Sequence, residues 1–151
     1  MACGDEGAFH AVLPIFQVLG KVVTYTGPQG TGQLTKCVNQ ILVALNCIAM
    51  TEALAFLERT PLDVKKTVSV VGAGSASSWA LNNYGPRVLK GDLSPGFRAV
   101  DMLKDIKIVL DEAEQMHLSL PGMELMKRLF ETLCSAQKES LGIHGLIKLY
   151  K

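Results

Sequence analysis

Between Gly32 and Pro61 the sequence contains neither glycine nor proline, and its stretch Ile41–Leu57 is polar only at Asn46, Thr51 and Glu52. A run of that length without a breaker predicts one long helix from Gly32 to about Arg59. A helix that is apolar on nearly every side has to be covered by other elements. A bilayer crossing asks for about 18–20 apolar residues. The polar interruptions leave Ile41–Leu57 short of that, so a buried core helix is expected, with the remaining chain packed around it.

The 151 residues suit one domain with a sizeable core. They are short for a two-domain enzyme carrying its own nucleotide-binding fold. Lys plus Arg (15) nearly balances Asp plus Glu (14), which removes the electrostatic argument for nucleic acid or an anionic membrane as partner. With 48% hydrophobic and 19% charged residues, the composition also excludes a disordered chain. Cys3, Cys37, Cys47 and Cys134 form no C-x-x-C pair. On one helix, Cys37 and Cys47 stand about 15 Å apart along the axis, against the ~7 Å between Cα atoms that a disulfide allows. Free thiols and a cytoplasmic home are therefore expected. His10, His117 and His144 are scattered and share no metal-ligand spacing with the cysteines, so no metal site is expected. Asp5 and Glu6 stand where a secretory signal has a basic start.

The first thirty residues differ from the rest. Asp5 reads as the cap of a helix through Phe9, Val12, Leu13 and Phe16 to Gly20, with Pro14 kinking it or marking its last turn. Lys21–Thr26, β-branched and aromatic, reads as a short strand ending at Gly27-Pro28. One helix and one strand do not make a fold, so residues 1–30 read as the last piece of something larger and 31–151 as an all-helical domain. After the long helix, Thr60-Pro61 reads as the cap and start of a helix bearing Val64, Thr67, Val68 and Val71, with Asp63 in its first turn. Ser75–Tyr84 around Trp79 reads as a short helix closed by Gly85-Pro86, and Gly91–Gly96 as a loop. Phe97–Met116 follows, with Val100, Leu103, Ile106, Ile108 and Leu110 available for burial. Pro121 opens a helix through Leu125, Met126, Leu129, Phe130 and Leu133, and a last helix holds Leu146, Ile147, Leu149 and Tyr150.

Three features can carry chemistry. Gly27-Pro-Gln-Gly30-Thr-Gly32 leads into the long helix, and glycines at a helix N-terminus let an anionic ligand approach the backbone N–H groups. The spacing is not the G-x-G-x-x-G of a dinucleotide-binding βαβ unit, and by itself the segment reads more simply as a turn. Lys36 is early in the same helix, where a cation opposes the macrodipole, a setting that suits an amine to proton exchange. Asn39 and Gln40 follow at i+3 and i+4 on the same face, and Asn46 extends the stripe. The residues alone leave open whether this stripe meets substrate or makes local surface contacts. Phe97, Asp101 and Lys104 share one face of a later helix; a solvated charged face is the simpler reading. Asp101 and Asp105 form a like-charge i,i+4 pair that needs a cation nearby.

Taken together, these residues resemble the β-hydroxyacid dehydrogenases, the group of 3-hydroxyisobutyrate dehydrogenase and tartronate semialdehyde reductase, related to 6-phosphogluconate dehydrogenase. The pattern G-x-x-G-x-G-x-x-x-K-x-x-N is matched in register by Gly27, Gly30, Gly32, Lys36 and Asn39. Gln40–Asn46, Ala76-Ser-Ser-Trp79, Gly96-Phe97-Arg98, Lys104-Asp105 and Gly145-Leu-Ile-Lys-Leu-Tyr150 fall at the family's intervals, so the likeness covers almost the whole chain. Asp101 departs from it, standing where relatives carry an aliphatic residue. The family's Rossmann motif G-x-G-x-x-G and its Ser-Gly-Gly substrate loop do not occur in these residues.

The resemblance implies an all-α C-terminal half preceded, over residues 1–30, by a helix–strand remnant of a Rossmann domain. It implies an NAD(P)-dependent oxidoreductase acting on a small β-hydroxyacid, of the 3-hydroxyisobutyrate or 2-hydroxy-3-oxopropionate type. Lys36 is then the general acid/base; Asn39, Gln40 and Gly32 bind substrate; Lys104 and Phe97 face the nicotinamide end of NAD or NADP. Without the Rossmann half, the chain is expected to bind the cofactor weakly and to be inactive alone. A homodimer through the helical domain is implied, with no nucleic acid or membrane partner. The alternative is a non-catalytic helical dimerisation or small-anion-binding module derived from the same family.

Overall fold

The computed structural model describes residues 1–135 and 140–150. Backbone packing divides the chain into two compact units, Met1–Gln40 and Ile41–Lys151.

In the first unit, α1 (Glu6–Leu19) starts as expected, with the Asp5 carboxylate accepting from the Ala8 N–H at 2.7 Å and Gly20 closing it. It runs past Pro14 to Leu19 rather than stopping there. Phe9 is its one buried residue, packed against Tyr25 and Phe16 with ring centroids 5.1 and 6.5 Å away. Lys21–Thr26 does not become a strand. It pairs at a single parallel bridge between Ala2 and Tyr25, flanked by Ala2 N–H to Thr24 O (2.9 Å) and Thr26 N–H to Ala2 O (2.8 Å). Gly27 and Gly30 then take φ of +117° and +95°, a region closed to most side chains. That turn delivers the chain into α2 (Thr31–Leu57), whose first ten residues belong to the first unit and the rest to the second.

In the second unit, α2 buries Ala44, Cys47, Ile48, Thr51, Leu54 and Ala55, spaced three and four apart as a core-facing stripe requires. The Thr51 hydroxyl is satisfied by Cys47 O at 2.8 Å. By length and composition Thr31–Leu57 is apolar enough to cross a membrane, contrary to the expectation from Ile41–Leu57 alone; half of its most apolar window is buried inside the fold. The Thr60 hydroxyl bonds back to Leu57 O at the end of α2, so it does not cap the next helix. Asp63 is the cap of α3 (Val64–Ala73), accepting from the Lys66 N–H at 2.9 Å. Gly85-Pro86 opens a helix instead of closing one: a π-helical turn (Ala80–Tyr84) runs straight into α4 (Gly85–Leu89), because proline fits the first turn, where no N–H is needed.

α5 (Ala99–Gln115) packs against α6 (Pro121–Ser135). Of the residues expected to be buried in α5, only Ile106 is; Val100 and Ile108 are exposed. The buried stripe is Ala99, Met102, Ile106, Val109 and Ala113, in which two small alanines and a flexible methionine accompany the branched Ile106 and Val109. It meets Met123, Met126, Phe130 and Leu133 of α6. The expected last helix is a 3₁₀ segment (Ile143–Leu149). It is tied to α2 by Cys47 Sγ to Ile143 O (3.5 Å), and by the Tyr150 hydroxyl donating to Glu52 (3.0 Å). All four cysteines are thiols, and burial pushes Cys47 up to about 12, leaving it unreactive at neutral pH.

Candidate functional site

Lys36, Asn39 and Gln40 occupy consecutive turns of α2, just past the glycine turn. Gln40 is buried at 2% exposure, while Lys36 and Asn39 are exposed. The Gln40 carbonyl Oε1 accepts from Lys36 Nζ at 2.7 Å and from Asn39 Nδ2 at 2.7 Å. One buried amide thus fixes the positions of an ammonium and of a second amide. Since Lys36 spends one of its three donors on Gln40, two remain for a ligand. This is an arrangement that can hold a hydroxyl or carboxylate oxygen beside an amine able to exchange a proton.

Gly32 lies one turn earlier, and its lack of a side chain serves a close approach. A Cβ there would stand 3.0 Å from Cys3 Sγ. Gly27 and Gly30 shape the turn by backbone conformation instead.

Phe97 and Lys104 belong to the second unit. Phe97 is half-buried ahead of α5, its carbonyl accepting from the Ile143 N–H at 3.0 Å. The Lys104 side chain is 66% exposed and pairs with Asp105 at 3.0 Å, which raises the lysine's pKa. Asp101 is gripped by Arg98 through two bonds, Nε to Oδ2 at 2.7 Å and Nη2 to Oδ1 at 3.0 Å. Each acid of the like-charge pair therefore has its own cation, and Arg98 holds the Asp101 carboxyl below the usual carboxylate range. Among the described residues no group of His, Cys, Asp and Glu could hold a metal ion.

One polar cluster was not foreseen. Arg87 binds Asp92 at 2.8 Å and the Ser94 carbonyl, holding the Asp92 carboxyl well below its ordinary range. Fully buried His144 reaches the Asp92 backbone carbonyl. His144 is fifty-two positions from Asp92 in the chain, so neither helical periodicity nor ligand spacing could gather the cluster.

The family model described as NAD-binding of NADP-dependent 3-hydroxyisobutyrate dehydrogenase matches residues 30–150. An oxidoreductase of Bacillus subtilis (strain 168) is 38% identical over 99% of this chain and 52% of its own length. The 2-hydroxy-3-oxopropionate reductase of Escherichia coli (strain K12) is 39% identical over 97% of this chain and 50% of its own. The crystal structure of a 3-hydroxyisobutyrate dehydrogenase from Salmonella typhimurium superposes with a TM-score of 0.91 at 25% identity, covering 99% of this chain and 53% of the other. The chain thus spans about half the length of the relatives it matches.

Proposed function

Because this chain belongs to the NADP-dependent 3-hydroxyisobutyrate dehydrogenase family, we propose that it supplies the helical half of an NAD(P)-dependent oxidoreductase acting on a small β-hydroxyacid, with Lys36 as general acid/base. The observation that carries this reading is the Lys36–Gln40–Asn39 constellation directly behind the glycine turn. In the oxidative direction, Lys36 in its amine form takes the hydroxyl proton. Asn39 donates to a substrate oxygen, and Gln40 keeps both donors in place. Residues 1–30 read as the end of the dinucleotide-binding domain and 31–151 as the catalytic and dimerisation domain.

The described residues fit only one end of the cofactor. Phe97 offers a half-buried ring and Lys104 an exposed cation for the nicotinamide end, whereas no βαβ unit is present among them to grip a diphosphate. When bound, the nicotinamide supplies the hydride acceptor. Binding energy from the remote parts of a dinucleotide is needed to reach the transition state, so this chain by itself turns over no hydroxyacid. The test is Lys36→Ala in the chain joined to the N-terminal half of a relative. We expect kcat to fall on the order of 10²–10⁴-fold with little change in KM; a kcat within about threefold of the unsubstituted protein removes Lys36 from catalysis.

A second reading is favoured by one observation. Met50, Phe56, Leu57, Leu62, Val71 and Leu81 line an apolar groove, and Phe56 is largely exposed. Apolar surface of this kind marks association sites, and a non-catalytic dimerising module would use it. Light scattering tests the dimer, which a monomer at high concentration removes, and calorimetry of NAD(H) binding separates the two readings.

A further inference from the structure

The His144 ring lies flat on Tyr84, centroids 4.5 Å apart and planes 13° from parallel. Its Nε2 is 3.1 Å from the Asp92 carbonyl oxygen. A carbonyl can only accept, so Nε2 bears the proton and Nδ1 holds a bare lone pair. Among the described residues, that Nδ1 has no hydrogen-bond partner. The neighbouring backbone explains why the side is closed: a Cβ on Gly142 would stand 2.5 Å from Cε1 and 2.8 Å from Nδ1, so only glycine leaves room for the ring.

The loop that His144 touches is also stitched to the tail by main-chain bonds. Gly142 N–H donates to Leu93 O (3.0 Å), Ile143 N–H to Phe97 O (3.0 Å) and Ala99 N–H to Leu141 O (2.8 Å). Asp92 is held at both ends, its carboxylate by Arg87 and its carbonyl by His144. Phe97 lies within this stitched segment, and α5 begins just beyond it at Ala99.

We infer that neutral His144, in its Nε2–H form, is a positioning residue that clamps the 92–97 loop, and with it Phe97, onto the C-terminal segment, and that a second proton on the ring releases the clamp. That proton would have to sit on Nδ1, where no acceptor waits and the Gly142 backbone is in contact. The resulting charge would be buried without a counter-ion against it. Arg87 of α4 opposes protonation, whereas Asp92 of the loop favours it, through the hydrogen bond to its backbone carbonyl first and its carboxylate charge second. The other titratable groups about it, Tyr84 of the π-helical turn and Cys47 of α2, are held neutral by burial. Burial first and Arg87 second depress His144 below the ordinary 6.5. A histidine depressed in the folded state contributes stability that is complete above the unfolded value. That contribution is lost as pH falls through 6.5 toward the folded value.

The consequence for the nicotinamide end rests on the reading of Phe97 given above; the clamp itself does not, and it is tested on the chain as it stands. Nitrogen-15 NMR of His144 reads the tautomer directly, with a protonated Nε2 and a bare Nδ1 expected. Amide exchange at Ile143 and Ala99 then reads the clamp, in the wild type and in His144→Gln, whose side-chain amide can donate but does not titrate. Once intrinsic exchange rates are divided out, wild-type protection should fall about tenfold or more as the pH drops below the His144 transition. In His144→Gln it should stay flat. A protonated Nδ1 in the neutral ring, wild-type protection independent of pH, or an equal fall in both proteins overturns the inference. Should the variant not fold, the tautomer and the wild-type pH profile still decide it. A clamp that passes while Phe97→Ala leaves cofactor affinity of the joined enzyme unchanged would sink the cofactor reading alone.

Discussion

The two units of this chain divide labour unequally. The second unit buries Leu54, Met102, Ile106, Met126, Phe130 and Leu146 essentially completely, and its packing comes from α2, α5, α6 and the 3₁₀ tail. The first unit buries Phe9 on α1 and leaves Ile15, Val18, Leu19 and Val22 open, Val18 at 86% exposure. Yet the first unit carries the residues best suited to chemistry, Lys36 with Asn39 and Gln40. The buried core and the proposed site residues are therefore on different stretches of this sequence. A well-packed core does not by itself mark the candidate site, whose residues are on the stretch of α2 assigned to the first unit.

Substitutions can break or sharpen this contrast. Phe130→Ala in the second unit empties a fully buried site and should cost about 3–5 kcal/mol in denaturant unfolding. Val18→Ala in the first, by contrast, should stay within about 0.5 kcal/mol. Equal losses would mean that one core serves both units. Gly30→Ala is the next largest effect. Nothing crowds a Cβ there, so the expected loss of about 1–2 kcal/mol is purely that of a left-handed backbone. Gly30→Asn should recover part of it. Asp63→Ala removes the α3 cap and should lower stability by about 1 kcal/mol, since its carboxylate satisfies the Lys66 N–H; an unchanged midpoint would show that α3 holds by packing alone.

Much of this was legible in the sequence, because it depends on short-range rules. The breaker-free run forces α2, Asp5 caps α1, and Pro121 opens α6. The Lys36, Asn39 and Gln40 grouping follows from helical spacing alone. What escaped depends on partners distant in the chain. Lys21–Thr26 has the composition of a strand but is paired at one bridge alone, with Ala2, a partner that no local pattern announces. In α5, several apolar stripes compete, and the one facing α6 runs through Ala99, Met102 and Ala113 instead of the more hydrophobic Val100 and Ile108. Thr60 and Asp63 are both good caps, and the choice went to Asp63 because Thr60 is engaged at the end of α2. His144 gave no local signal, since its meaning comes from Tyr84, Asp92 and Gly142 closing around it.

The claim that chemistry resides in the first unit but is conditional on a cofactor-binding partner domain is tested most directly by one assay. Reduction of NAD⁺ or NADP⁺ by 3-hydroxyisobutyrate is followed with the chain alone, and with the chain joined to the N-terminal half of a relative. The account predicts no turnover alone, turnover when joined, and loss of that turnover on Lys36→Ala. Steady turnover by the isolated chain, or a joined protein indifferent to Lys36, would contradict it.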